Sequence, residues 1–184
     1  MNWARFNSIP FDVLTLTTAP SSLTQLLQQI LSLIVAGGFF RPSQAFLTLD
    51  PDPWPSMSGP FVSVHPGSHS LIPGQWNGAS ASLAGYRGRI PIRIADQCLI
   101  DYHDRDDVAV LRVNQGLTDM ALQLSEYLTG EEASSKLTAK GIVQSPLSPI
   151  SLSEPRRRKG DGRWRCVTLE VSVDWTHSYQ TGMS

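Results

Sequence analysis

The cleanest hydrophobic pattern in the chain lies near its C-terminal end. From Cys166 to Thr176, Val167, Leu169, Val171, Val173 and Trp175 alternate with Thr168, Glu170, Ser172, Asp174 and Thr176. A period of two predicts a strand with one buried and one wet face. The apolar set is β-branched, aromatic or Leu, as a pleated surface prefers. About eleven residues at about 3.3 Å each would span about 36 Å, where most strands have about 5–6 residues. The preceding stretch, 141–154, carries Ile142, Leu147, Ile150 and Leu152 but is interrupted by Pro146 and Pro149. Proline has no ladder donor, so this arm should be an edge strand or a broken one. Between the arms run Pro155, Arg156, Arg157, Arg158, Lys159, Gly160, Asp161, Gly162 and Arg163. The glycines and Asp161 are turn residues. The pattern predicts a long C-terminal β-hairpin with a basic tip.

Upstream, Leu23, Leu26, Leu27, Ile30, Leu31, Ile34 and Val35 recur at three- and four-residue spacing. That predicts a helix over 21–36, capped by Ser21 or Ser22 and ended by Gly37 and Gly38. Short strands are expected at 46–49 and 61–64. The segment 50–60 holds four prolines and reads as a stiff loop, and 67–88, rich in Gly, Ser and Ala, reads as a second long loop. A strand is expected over 89–99, with Ile90, Ile92, Ile94 and Cys98 on one face and Arg89, Arg93 and Gln97 on the other. Asp96 interrupts its apolar face. Asp106 or Asp107 then caps a helix through Leu128 with the stripe Val110, Val113, Leu117, Met120, Ala121, Leu124 and Leu128. Residues 131–140 read as a polar linker, and 1–19 as an N-terminal arm without clear period, carrying Trp3, Phe6, Ile9 and Phe11. The element order predicts an α+β fold in one domain over 1–184: a largely antiparallel sheet with helices packed on one face.

Composition changes little. The chain has 184 residues, 41% hydrophobic, with a formal net charge of −1. Bulk electrostatics therefore do not make it a nucleic-acid binder. The distribution is uneven: Arg156, Arg157, Arg158, Lys159, Arg163 and Arg165 are six of the fifteen basic residues. Cys98 and Cys166 suit neither a disulfide framework nor a zinc site. No apolar run reaches the length of about 18 residues that would span a membrane, and no charged-then-apolar leader opens the chain.

Candidate chemistry is sparse. Asp101, His103, Asp104, Asp106 and Asp107 are the densest set of metal-ligand types. Their spacing matches no zinc motif and lacks the glycine of a calcium loop, and a solvated helix cap accounts for them. His65 and His69 are four apart, but Pro66 and Gly67 prevent the helix that would align them. Ser68 between them lacks the G-x-S-x-G turn of a hydrolase nucleophile. His177 follows the long strand. No phosphate loop, dinucleotide fingerprint or C-x-x-C pair occurs, so no cofactor is expected. The basic tip, Arg156, Arg157, Arg158, Lys159 and Arg163, is the one pointed feature. It suits a nucleic-acid backbone or an acidic protein surface, and without an interleaved aromatic it does not suit base stacking.

The order of these elements resembles the tail terminator, or tail completion, proteins of long-tailed bacteriophages. The similarity spans 21–179. It rests on the Leu-rich first helix, the strand Arg89-Ile90-Pro91-Ile92-Arg93-Ile94, the Asp-capped helix ending Leu128-Thr129-Gly130, and the closing hairpin from Trp164 to Trp175. The loops 50–60 and 67–88 are departures from it. The resemblance implies a structural, non-enzymatic protein of the virion neck, assembled in the host cytoplasm. It implies a homo-oligomeric, hexameric ring on the head-proximal end of the tail tube, which stops tube growth. Its partners would be the tail tube protein and the head-tail connector or stopper, with contact to genomic DNA in the lumen and none with membrane. The rival within the class is a head-completion or stopper protein. The rivals outside it are a small hydrolase or metal enzyme using His65, His69 or the Asp101 to Asp107 group, and a nucleic-acid-binding module using the tip.

Overall fold

The computed structural model describes residues 22–48, 59–72, 83–97, 107–139, 141, 143–158 and 161–178. Their order is α1 (Ser22–Ala36), a short 3-10 turn (Pro42–Gln44), β1 (Ala45–Leu47), β2 (Phe61–Val64), β3 (His69–Leu71) and β4 (Leu83–Gln97). Then come α2 (Asp107–Thr129), α3 (Glu131–Thr138), β5 (Ser148–Leu152), β6 (Arg156–Arg158) and β7 (Asp161–Ser178). All seven strands form one sheet, ordered β1-β2-β4-β7-β5, with β3 beside β4 and β6 beside β7. The β1-β2 pair is parallel, and every other pair is antiparallel. The expected α+β class, with helices on one face of a largely antiparallel sheet, is the observed one.

The sheet is organised around β4 and β7, which pair without interruption from Leu83 opposite Ser178 to Gln97 opposite Trp164. The alternation read from the sequence fixes this ribbon's faces. Val167, Leu169, Val171, Val173 and Trp175 are buried, as are Ile90, Ile92 and Ile94 across the register. Full burial of each such side chain stabilises by about 1.5–3 kcal/mol. Against this face packs α1, burying Leu26, Leu27, Ile30, Leu31, Leu33 and Ile34. Beside it α2 contributes Leu117, Ala121, Leu124 and Leu128. The first helix closes as expected at Gly37 and Gly38, where Gly38 adopts φ 75°, a conformation that glycine adopts at no steric cost.

Several expectations are corrected. The stretch 67–88 is not one loop: β3 lies within it, and β4 begins at Leu83, six residues before the expected strand start at Arg89. Isolated anchors among Gly, Ser and Ala gave no period, yet long pairing with β7 holds Leu83 to Gly88 extended. The supposed linker at 131–140 contains α3, which buries only Ala133 and Leu137. Two apolar residues in eight are too few to register as a stripe.

The hairpin's first arm is two pieces, β5 and β6, both on β7. A register shift between Pro149 and Ser151 separates Ile150 from the ladder, so Ile150, one of the arm's apolar residues, is 42% exposed. Val143 and Leu147 anchor the arm instead. The tip is tighter than expected, because Arg156, Arg157 and Arg158 pair with β7 rather than turning. The opposing strand is correspondingly longer, starting at Asp161 instead of Cys166.

Two glycines have steric reasons. A Cβ on Gly67 would lie 1.6 Å from the Arg89 carbonyl oxygen, and one on Gly88 would lie 2.5 Å from Nδ1 of His69. Both hold β3 and its approach close against β4.

Candidate interface surfaces

Helices cover one face of the sheet; we call the opposite one the outer face. Its residues follow from register. On β4 they are Arg87, Arg89, Pro91, Arg93, Ala95 and Gln97, and on β7 Trp164, Cys166, Thr168, Glu170, Ser172, Asp174 and Thr176. From the flanking strands come Ser70, Ser148, Ser151 and Arg156. One end is apolar: Phe61, Ala95 and Trp164 are buried together, with Phe46 and Cys166 against them. The Phe61 and Trp164 rings sit 5.1 Å apart. The remainder carries hydroxyl and guanidinium groups together with Pro91, Gln97 and the carboxylates of Glu170 and Asp174.

The charges there are arranged unevenly. Arg87 clasps Asp174 with two bonds, Nε to Oδ1 at 2.7 Å and Nη2 to Oδ2 at 2.8 Å. That contact holds the Asp174 carboxyl below its usual range, against a smaller opposing effect of burial. Glu170 accepts from Ser151 Oγ at 3.4 Å. Arg89 and Arg156 are exposed. Burial pushes the Cys166 thiol up, while the charges of Arg93 and Arg156 oppose the shift. Cys166 is not in a disulfide.

The predicted site residues separate under this geometry. Arg156 and Arg157 are exposed on β6. Arg158 ends that strand opposite Asp161, and Arg163 is within β7. Lys159 lies outside the described residues. Arg165, counted with the basic run, is instead only 9% exposed. It stands opposite Asp96 in register, on the helix side. Burial raises the Asp96 carboxyl above its usual range, with a backbone bond from Gln97 opposing.

The histidines do not converge. His65 lies on the outer side, where Ser63 Oγ and His65 Nε2 are 2.9 Å apart, and both residues are 6% exposed. The sequence reading missed this pair, although the i, i+2 spacing of Ser63 and His65 on a strand signals it. Its burial makes it an internal polar contact rather than a nucleophile open to substrate. His69 lies on the helix side, edge-on to Trp175 at 5.7 Å, and burial pushes its imidazole down toward the neutral form. Trp175 in turn stacks on Tyr86 at 4.9 Å. His177 falls in β7 opposite Ala84. Of the acidic group, Asp101, His103, Asp104 and Asp106 lie outside the described residues, and Asp107 opens α2. Among the described residues no three His, Cys, Asp or Glu side chains are placed to hold a metal ion. No described helix is long and apolar enough to cross a membrane.

These features define an α+β protein with a helix-backed sheet and one polar, arginine-bearing outer face. In fold it is similar to a chain of the virion of a native gene transfer agent particle, at 16% identity and TM-score 0.36, over 84% of this chain and 91% of that one. A second solved chain is similar at 14% identity and TM-score 0.39, over 85% of this chain and 94% of that one. No family model matches the sequence, and no curated protein matches it.

Proposed function

We propose that this chain is a structural protein of a phage-like virion, a tail terminator. In this reading it forms a six-fold ring on the head-proximal end of the tail tube, stops tube growth and joins the tail to the connector or stopper. The observation that carries the reading is the pair of sheet edges. Among the described residues the sheet ends in β1 on one side and β5 on the other. Along β5, residues Ser148 to Ser151 are exposed. An edge strand offers unpaired backbone groups to another chain. Two different edges on opposite sides of one sheet suit a head-to-tail contact, which repeats into a ring when the rotation closes. The strand signals and the resemblance of the element order to tail terminators support the same assignment. The role is non-enzymatic, and the basic tip from Arg156 to Arg163 is its attachment element for the next component of the neck.

The test is mass photometry of the purified chain, alone and with tail tubes. The expected species is a closed ring of six 20.2 kDa copies. Ser151→Pro, which distorts the β5 edge without touching the core, should return the chain to monomer. A chain that stays strictly monomeric on assembled tails overturns the reading.

A further inference from the structure

The outer face of the β4-β7 ribbon carries more positive charge than the chain as a whole. Arg87, Arg89, Arg93 and Arg156 stand on it against Glu170 and Asp174, while the whole chain has a net charge of −1. Asp174 is committed to Arg87 by the bidentate bond. Arg89 and Arg156 are left presented to solvent. Half-buried Arg93 lies between them: Arg156 is opposite Cys166, Cys166 opposite Ala95, Arg93 two residues along β4, and Arg89 four residues beyond that, past Pro91. Neighbouring strands lie about 4.8 Å apart, so these three arginines cross the sheet obliquely; Arg157, opposite Arg165, falls on the other face.

The rest of the face is rich in hydroxyls: Ser70, Ser148, Ser151, Thr168, Ser172 and Thr176. Arginine and hydroxyl side chains are groups that contact phosphate and sugar. Trp164, the aromatic on this face of β7, is buried at its end, so bases have no described platform to stack on. We infer that the face of the sheet opposite the described helices, centred on Arg89, Arg93 and Arg156, is a contact surface for the phosphate backbone of duplex DNA, read without sequence preference. The inference goes beyond the ring assignment and does not depend on it, because a single copy carries the whole face. A ring that turned this face to its lumen would multiply weak contacts through effective concentration.

The test is fluorescence anisotropy with a short random-sequence duplex between about 50 and 200 mM salt. The proteins are wild type, Arg89→Ser/Arg156→Ser, Arg89→Lys/Arg156→Lys, and Arg112→Ser on the exposed side of α2. Each lost phosphate contact should lower the log–log salt slope by about 0.9. The affinity advantage of wild type over the double Ser variant should therefore shrink about twelvefold across that fourfold salt range. The Lys variant keeps both charges and should keep the slope, as should Arg112→Ser. No binding by wild type at the lowest salt overturns the inference, and so does an equal slope in the double Ser variant. Polyglutamate displacing the duplex at equal charge concentration overturns it as well, because the surface would then be one for acidic protein. Ring formation, measured separately, does not enter either outcome.

Discussion

The two faces of the β4-β7 ribbon are made by the same strands, yet they obey different rules. On the helix side Ile90, Ile92, Ile94, Val167, Leu169, Val171 and Val173 are at most 2% exposed. On the outer side, Arg89 is exposed and Thr168, Glu170, Ser172 and Asp174 are half-buried. One face is constrained by volume and desolvation, and the other by charge and hydrogen bonding. A single residue step along the chain moves between the two regimes. Where the rules are broken, the neighbours show it. Asp96 on the helix side has its acidity weakened by burial, whereas Asp174 on the outer side has its acidity strengthened by Arg87.

The sharpest way to break the comparison is a charge on each face. Val171→Asp should prevent soluble folding, because an unpaired buried charge costs several kcal/mol, comparable with a domain's whole stability. Ser172→Asp, one residue on and opposite Arg89, should melt within a few degrees of wild type. Equal melting of the two variants would show that the faces are misassigned.

Next in size are the glycines that let β3 approach β4. Gly67→Ala meets a backbone oxygen, which cannot rotate away, and should destabilise by about 3 kcal/mol. Gly88→Ala meets the His69 ring, which can move, and should cost about 1–2 kcal/mol. Denaturant midpoints measure both, and a larger loss at Gly88 would contradict the assigned contacts.

The smallest effect concerns the two aspartates, whose pH dependences have opposite sign. The folded state raises the Asp96 pKa, so the folded chain binds the proton more tightly than the unfolded chain does. Asp96 therefore costs stability at neutral pH, and that cost disappears as pH falls below the unfolded value near 3.8. Asp174 has a lowered folded pKa. Its contribution is present above the unfolded value and is lost as pH falls through the folded one. Asp96→Asn should raise the melting temperature at pH 7, with the gain fading in acid. Asp174→Asn should lower it slightly, because the pair is exposed and screened, and that loss should also fade in acid. Melting curves from about pH 7 to pH 3 check both, and gains of the same sign for the two variants would contradict the assignment of faces.

Much of this architecture was legible in the residues. The alternation from Val167 to Trp175 identified both the central strand and its buried face, because side-chain direction in a strand depends only on parity. The three- and four-residue spacing of α1 and α2 identified their stripes for the equivalent helical reason. Pro149 marked β5 as an edge, since a residue without a ladder donor cannot sit between two strands. Asp96 announced itself as a polar break in an apolar face.

What only the tertiary structure decided is which strands meet and in what register. Leu83 to Gly88 have no alternation of their own; pairing with β7 makes them a strand. Ile150 is apolar but exposed, because the register shift at Pro149 and Ser151 removes it from the ladder. Arg165 reads as one more charge in a basic run, yet it is buried opposite Asp96, while Arg89, more than sixty residues away in sequence, shares the outer face with Arg156. Parity along one strand is a local property, set by each residue's own backbone. The joining of two strands is a long-range property, set by how much apolar surface the whole sheet can hide beneath its helices.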